Sequence, residues 1–504
     1  MFPDTPETLA RLRKLLAGKL NTLRFEEGIK MPSRMTGWLR SLVLLGTLLA
    51  GPGPSAFGQQ AVEAPRRPNI VFLYTDDQAL WGMGAYNPEV QTPHMDRIAR
   101  EGALFTNAFV ATPVCSPSRA GLFASRYPTQ VGITDWINPR AEPDLGLSPA
   151  DLGWPEVLQS SGYATALFGK WHLGTRDEFH PTRRGYDVFL GFRDGGNRPI
   201  NPVLEVEGEP RQLEGSLPDI LTDAAIDFIG EHRAGPFLVS LHFRAPHAPY
   251  APVPEQDSAP FDDLDPTIPD FEGLPVERVK RLTKEYFGSI HSVDRNIGRL
   301  LATLDELDLA EKTIVVFTSD HGYMIGQHGL HHKGNATWIA EGQEGRRPNM
   351  FEESIRVPQA IRWPGVVQAG MTVDVVVSNL DFFPTLLDLV EIEMPEGHRI
   401  EGRSFAPSLR GDPDERADIP LIGQYDMHHG QTAHMRMIRT ADWKLIRHLE
   451  PDMEDELYHL AEDPGETRNL ANDPDHRDPF ETLNRQLIEW MKSIDDPLTE
   501  QAAL

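Results

Sequence analysis

Short, largely apolar runs recur along the chain, and each is followed within a few residues by polar or charged side chains. Such runs are typical of strands that are buried inside a sheet. They predict strands at Asn69–Thr75, Ala164–Phe168, Phe237–Phe243 and Thr313–Ser319. Because ligands of open α/β sheets bind at the carboxyl edge of the strands, the pattern predicts an α/β fold with a site at that edge.

The residues that follow these runs carry the candidate chemistry. Asp76, Asp77 and Asp320 offer hard oxygen ligands of the kind that Ca²⁺ or Mg²⁺ prefers. His321 is a weaker ligand for such a cation or a hydrogen-bonding supporter of the site. Zn²⁺ is disfavoured because no Cys/His set with structural spacing exists. The histidines that match no metal template are interpreted as loop or surface residues: His328, His331, His332, His428, His429 and His434.

Cys115 is the single cysteine of 504 residues, so no disulfide can form within the chain. Ser116 as N-cap and Pro117 in the first turn predict a helix over Ser118–Arg126, with position 115 just before it. A helix N-terminus favours an anion, and Arg119 lies one turn in. The alternatives are a buried free thiol and a solvated surface arginine.

Charge limits the class of partner. The chain has 48 Lys and Arg against 75 Asp and Glu, a net charge of −27. Nucleic-acid binding is therefore disfavoured, since it needs clustered cations. The same charge opposes long-range attraction of a polyanion, so any anion pocket must gather its own positive charge.

The N-terminal residues indicate export. Lys30, Arg34 and Arg40 precede the apolar stretch 41–50, and small residues lead to a cleavage site before Gln59. The apolar run is too short to span a bilayer, so we expect no stable membrane anchor. We expect a mature protein that begins near residue 59 and is periplasmic or extracellular. Residues 1–30 have no interpretation, unless translation starts at Met31 or Met35.

Several motifs, in order, carry a resemblance to a known family. They are Asn-Ile-Val-Phe-Leu-Tyr-Thr-Asp-Asp at 69–77, Cys-x-Pro-x-Arg at 115–119, Gly-Lys-Trp-His-Leu-Gly at 169–174, Ala-Pro-His-Ala-Pro at 245–249 and Thr-Ser-Asp-His-Gly at 318–322. The chain resembles the type I, formylglycine-dependent, arylsulfatase-like sulfatases of the alkaline phosphatase superfamily, from about Asn69 to Leu470. The resemblance implies an α/β fold with an alkaline-phosphatase-like large mixed sheet flanked by helices. A small C-terminal antiparallel sheet plus helix follows.

The implied domains are an upstream extension, signal peptide and linker at 1–66, a catalytic domain at 67–410 and a C-terminal subdomain at 411–504. By the same resemblance, Cys115 is oxidised to formylglycine by a formylglycine-generating enzyme, and its hydrate is the nucleophile that releases sulfate. The resemblance gives catalytic roles to Cys115, Arg119, Lys170, His172, His247 and Lys333. It makes Asp76, Asp77, Cys115, Asp320 and His321 the ligands of Ca²⁺ or, as the alternative, Mg²⁺.

Some points stay open at the level of sequence. The family usually has Thr-Gly-Arg where this chain has Ala124-Ser125-Arg126, a difference that could lower maturation efficiency. The expected substrate is a small sulfated molecule: a carbohydrate (including a sulfated oligosaccharide), an aryl ester or a steroid-type ester. The alternatives are a phosphomonoester or phosphonate monoester hydrolase and an inactive exported glycan-binding protein. Pocket-rim candidates are Asp135, Trp136, Asn138, Arg193 and Trp338, and the segment 334–350, with Arg346 and Arg347, is expected to shape substrate choice.

Overall fold

All four predicted strands are present in the computed structural model, which describes residues 67–412, 416, 419–451 and 453–503. The signal-peptide prediction lies outside the described residues. The strands are β1 Asn69–Asp76, β2 Ala103–Phe105, β3 Ala108–Phe109, β4 Ala164–Lys170, β5 Val188–Phe192, β6 Val203–Val206, β7 Glu209–Gln212, β8 Phe237–Pro246, β9 Thr313–Ser319, β10 Met324–Ile325, β11 Leu330–His332, β12 Thr337–Trp338, β13 Gln359–Arg362, β14 Met371–Val373, β15 Val377–Ser378, β16 Leu421–Met427, β17 Ala433–Arg439, β18 Trp443–His448 and β19 Glu456–His459.

These strands form a large mixed sheet and smaller ones. The large sheet has 10 strands in the order β14-β2-β13-β9-β1-β8-β4-β5-β6-β7. Its central strands β9, β1, β8, β4 and β5 are parallel, whereas β13, β6 and β7 pair antiparallel to their neighbours. The fold class predicted from the sequence, a large mixed sheet flanked by helices, is confirmed.

The register of the parallel strands brings their polar ends together. Thr75 pairs with Ser319, and Asp76 pairs with Pro246. The residues that follow β1, β8 and β9 therefore leave the sheet at one level. This alignment explains how Asp77, His247 and Asp320, which are far apart in sequence, meet at one edge.

The helices pack around the large sheet and against the C-terminal sheet. They are α1 Pro93–Arg100, α2 Cys115–Ala124, α3 Pro128–Val131, α4 Trp154–Ser160, α5 Leu217–His232, α6 Glu255–Ser258, α7 Val276–Glu306, α8 Glu352–Ile355, α9 Phe382–Leu389, α10 Ala406–Arg410, α11 Arg477–Ser493 and α12 Thr499–Ala502. Within the described ranges, no helix has the length and apolar character needed to cross a membrane.

Helix α2 differs from its predicted form at both ends. It begins at Cys115 itself, and Ser116 is not its cap: the Ser116 hydroxyl accepts from Ile137 N at 3.0 Å. It ends at Ala124, and the next residue, Ser125, has φ 53, a left-handed conformation that favours glycine. Ser125 Oγ donates to Leu380 O at 2.7 Å and accepts from Gly402 N at 3.0 Å. These two bonds stabilise a serine where the family usually has glycine.

The C-terminal sheet is antiparallel, with the order β16-β17-β18-β19. Helix α11 covers it with Leu483, Leu487 and Met491, which recur at helical spacing and pack with Ile438 and Leu445. The predicted small sheet plus helix is confirmed. The domain boundary at residue 410 stays a prediction.

Candidate active site

The turn after β1 is fixed by hydrogen bonds to the end of β9 and to helix α7. Asp77 has φ 68, a left-handed conformation that costs free energy for a residue other than glycine. Asp77 N donates to Asp320 Oδ1 at 3.1 Å, and Tyr286 Oη donates to Asp77 O at 2.7 Å. Gln78 N donates to Ser319 Oγ at 2.9 Å. The two aspartates are thus held rigidly at the sheet edge, both buried.

Cys115 lies at the N-terminus of α2, only 2 % exposed, and faces this edge. Lys333 Nζ donates to its Sγ at 3.0 Å, His321 Nε2 lies 3.3 Å away and Asp76 Oδ1 lies 3.5 Å away. Burial by itself would raise the pKa of the thiol, but the charges of Lys170 and Lys333 outweigh it and lower the pKa to about 6. Position 115 therefore favours a negatively charged group.

Arg119 binds Asp320, the third carboxylate at this edge of the sheet. Its Nε and Nη2 lie 3.0 and 2.9 Å from Asp320 Oδ2, and its guanidinium stacks 4.9 Å from the Tyr74 ring centre. The Ser118 hydroxyl donates to the backbone oxygen of Asp320. The alternative of a solvated Arg119 is wrong, because the side chain is 3 % exposed and paired.

Two lysines complete the charge balance. Lys170 Nζ donates to Asp76 Oδ2 at 2.7 Å, and Lys333 Nζ donates to Asp77 Oδ1 at 2.5 Å. These charges hold the pKa of both aspartates well below the usual range, although burial opposes the shift. Both carboxylates are therefore ionised at neutral pH.

The two predicted catalytic histidines have different proton arrangements. The bond of 3.1 Å from His172 Nε2 to Ile137 O requires a proton on Nε2, which leaves a lone pair on Nδ1. That Nδ1 is buried and has no hydrogen-bond partner among the described residues. Burial, assisted by Lys170, holds the pKa of His172 well below its usual value, so the ring is neutral. His247 Nδ1 donates to Ala248 O at 2.7 Å, and its Nε2 lies 3.9 Å from Asp77 Oδ2.

The donor set at the edge fits a divalent cation. Ligand atoms of Asp76, Asp77, Cys115 and His321 lie within 4.8 Å of one another. His321 Nδ1 donates to Gly322 O at 2.9 Å, and its Nε2 lies 3.2 Å from Asp77 Oδ1 and 3.4 Å from Asp320 Oδ1. Burial disfavours the protonated ring, but the charges of Asp320 and Asp77 outweigh it and raise the pKa of His321. A divalent cation bound among these carboxylates would take the place of the Nε2 proton.

Comparisons with known proteins agree with this geometry. The family model described as Sulfatase matches residues 68–392, and a model described as N-sulphoglucosamine sulphohydrolase, C-terminal, matches residues 346–493. The chain belongs to the sulfatase family. It is 31% identical to an ulvan-active sulfatase of Formosa agariphila over 89% of this chain and 84% of that protein. It is 29% identical to mouse steryl-sulfatase over 87% of this chain and 83% of the relative.

A solved structure extends the agreement to the fold. A protein in complex with its substrate D-glucosamine-2-N,6-O-disulfate superposes with a TM-score of 0.74 at 26% identity, over 86% of this chain and 99% of that one. This chain is therefore a sulfatase with an alkaline-phosphatase-like fold. Its relatives act on different kinds of sulfate ester, as their names state.

Above Cys115, the sulfatase has a pocket of about 410 Å³. Of the predicted rim residues, Trp136 lines it. Asp135 is buried and accepts from Tyr425 Oη at 3.1 Å, and Arg193 pairs with Glu205 at 2.8 Å. Asn138 accepts from backbone N–H groups of its own turn, and Trp338 packs against the main core.

The sequence did not single out most of the remaining pocket wall. His332 lies in β11 and lines the pocket, so its interpretation as a loop residue is wrong. Gly195 also lines it, and a Cβ there would lie 2.7 Å from His172 Cε1, so a side chain would displace the ring. In the sequence, only the pair Gly195–Gly196 after β5 could have indicated this close approach of the backbone to His172. The other wall residues are Asp194, Gly196, Asn335, Thr337 and Arg346.

Proposed function

We propose that this sulfatase hydrolyses sulfate esters of carbohydrates with a formylglycine at position 115 and a bound divalent cation, Ca²⁺ rather than Mg²⁺. The observation that carries the proposal is the convergence on Cys115 Sγ of Lys333, His321 and Asp76 at 3.0, 3.3 and 3.5 Å. A structural thiol would be expected among apolar side chains instead.

The formylglycine and the divalent cation, which the sequence does not itself encode, have separate chemical roles in the proposal. The hydrated aldehyde would supply an oxygen nucleophile for the sulfur atom, and the cation would supply positive charge to that oxygen and to the ester. Asp76, Asp77, Asp320 and His321 would hold the cation. The carboxylate oxygens favour Ca²⁺ or Mg²⁺, whereas the imidazole of His321 is a weaker ligand for either, and the family resemblance favours Ca²⁺.

The other site residues bind the ester and move protons. Lys170 and Lys333 stabilise charge on the sulfuryl oxygens, a contribution that is often large because it acts in a buried site. Arg119 orients position 115 through Asp320. His172 is neutral with a free Nδ1 lone pair, as a general base requires, and His247 supports the departing alkoxide.

A carbohydrate is favoured over a steroid by the pocket wall. His332, Asn335, Thr337, Arg346 and Asp194 offer polar groups for hydroxyls and charges. The names of the ulvan-active relative and of the glucosamine disulfate complex point in the same direction. We also propose export of a mature chain that begins near residue 59, which N-terminal sequencing of the exported protein would test.

The decisive experiment is the mass of the proteolytic peptide that contains Cys115, prepared from the native host. The expected mass corresponds to replacement of the CH₂SH group by an aldehyde. An unmodified thiol would remove the proposed nucleophile and favour the glycan-binding alternative. Assays with 4-nitrophenyl sulfate and 4-nitrophenyl phosphate, after chelation and after return of Ca²⁺ or Mg²⁺, would then separate sulfatase from phosphatase activity and identify the cation.

A further inference from the structure

Two neighbouring arginines in the segment 334–350 have different surroundings. Arg347 forms an ion pair with Glu456 at 2.9 Å and lies 5.6 Å from the ring centre of Phe351, so it is part of the packing. Arg346 is exposed and lines the pocket above Cys115. Its Nη1 donates to Asn335 O at 3.1 Å, and no carboxylate pairs with it among the described residues.

The turn between β16 and β17 leaves room for the Arg346 guanidinium. Gly430 in this turn has φ 83, and a Cβ built on it would lie 2.9 Å from Arg346 Nε and 3.2 Å from Nη2. A side chain at position 430 would push the guanidinium away from its present place. The turn therefore helps to place a guanidinium whose Nε and Nη2 have no hydrogen-bond partner among the described residues.

His332 lies on the same wall of the pocket. Its Nδ1 is 3.0 Å from Tyr323 Oη, which leaves Nε2 as the ring nitrogen that can serve a ligand. Burial, assisted by the charges of Lys333 and Arg346, lowers the pKa of His332 to about 4. The imidazole is thus neutral at neutral pH, and the charge on this wall comes from Arg346.

We propose that Arg346, assisted by His332, binds a second anionic group of the substrate, a sulfate or a carboxylate, while the ester to be cleaved lies at position 115. This inference rests on the proposed function and narrows its substrate class to saccharides with at least two anionic groups. Lys333, the other cationic side chain that lines the pocket, pairs with Asp77, so Arg346 is the pocket cation without a carboxylate partner among the described residues. A protein with net charge −27 needs such a local cation to hold a dianion.

The test compares Arg346→Ala with Arg211→Ala, which removes the same charge from the exposed strand β7 outside the pocket. The substrates form two pairs that differ by one anionic group. The first pair is glucosamine-2-N,6-O-disulfate and N-acetylglucosamine 6-sulfate, and the second is a sulfated hexuronic acid and its methyl ester. The readout for each pair is kcat/KM for the substrate with the additional anionic group, divided by kcat/KM for the substrate without it.

We expect Arg346→Ala to lower this ratio by about 10-fold to 100-fold in one pair, as for loss of a hydrogen bond to a charged group. His332→Gln should lower it less, and Arg211→Ala should leave it unchanged. The affected pair distinguishes a second sulfate from a carboxylate. An unchanged ratio in both pairs would overturn the inference even if the enzyme cleaves 4-nitrophenyl sulfate.

Failure of the proposed function would look different. The wild-type enzyme would then cleave no sulfate ester, including 4-nitrophenyl sulfate. In that case, calorimetric binding of glucosamine-2-N,6-O-disulfate and the sulfated hexuronic acid to wild type and Arg346→Ala still decides the inference. Weaker binding of either ligand to the variant supports the subsite, and equal binding contradicts it.

Discussion

The base of the pocket, which is Cys115 with the buried ion pairs around it, is built differently from the wall of residues above it. At the base, three buried carboxylates are paired with three buried cations, at 2.5 Å for Lys333, 2.7 Å for Lys170 and 2.9 Å for Arg119. On the wall, Arg346 and Asp194 are exposed, and Trp136 is partly exposed. A buried charge is tolerated only with its partner, whereas an exposed one is solvated by water.

The difference has a functional consequence. A substitution at the base leaves an uncompensated charge and should damage both turnover and folding. A substitution on the wall removes one contact with a substrate and should change selectivity more than stability.

The largest effect is expected from Cys115→Ala. The variant lacks the proposed nucleophile, so its kcat/KM for 4-nitrophenyl sulfate should fall by more than the roughly 10²–10³ typical of one lost stabilising donor. Cys115→Ser should be equally inactive, because the proposed maturation starts from a thiol. Circular dichroism checks that both variants fold. Activity close to that of wild type in either variant would contradict a nucleophile at position 115.

Lys333→Ala should come second. Its Nζ donates to both Asp77 Oδ1 and Cys115 Sγ, so the variant loses charge stabilisation, and kcat should fall by about 10²–10³. Thermal unfolding should also begin at a lower temperature, since Asp77 is left buried without its cation. Lys492→Ala, an exposed lysine on α11, is the matched control. A loss of kcat no larger than in the control would show that Lys333 acts only on the fold.

The base of the pocket was predictable because its residues follow apolar strands. Asp76, Asp77, Lys170, His247 and Asp320 lie at or just after strand ends, and parallel pairing brings such ends to one edge. The helix that carries Cys115 was predicted too, although both of its ends were misplaced. Ser116 was expected to cap the helix, but its hydroxyl accepts from Ile137 N, a contact that the local sequence does not encode.

Only part of the wall was predictable from the sequence. Trp136 was a rim candidate, and the segment 334–350, which was expected to shape substrate choice, supplies Asn335, Thr337 and Arg346. Arg346 reaches the pocket through a segment without a regular pattern, beside Gly430 of the C-terminal sheet. Asp135 was a rim candidate, yet the structure buries it beneath the hairpin that carries His428 and His429. Contacts between residues this distant in sequence depend on the packing of the whole chain, not on local periodicity.

Gly195→Ala tests whether a residue of the wall fixes the position of His172. The added Cβ would lie 2.7 Å from His172 Cε1 and 2.8 Å from Nε2, so the ring must shift by a few tenths of an ångström. We expect kcat to fall by about 10-fold, because a misplacement of 1 Å can cost about 10²-fold. Gly196→Ala, where a Cβ meets nothing within 4 Å, is the control. Equal kcat values for the two variants would mean that His172 is not a base.

The smallest effect on turnover is expected from Asp135→Asn, which lies behind the wall. Its carboxylate accepts from Tyr425 Oη at 3.1 Å and from the N–H groups of His428 and His429 at 3.0 and 3.1 Å, so it joins the pocket segment to the C-terminal sheet. The amide keeps the shape but loses charge-assisted bonds, so the free energy of unfolding in urea should fall by about 1–3 kcal/mol. The kcat for 4-nitrophenyl sulfate should change less than in Gly195→Ala. A kcat loss as large as that of Lys333→Ala would show that the C-terminal sheet governs the base of the pocket as well as its wall.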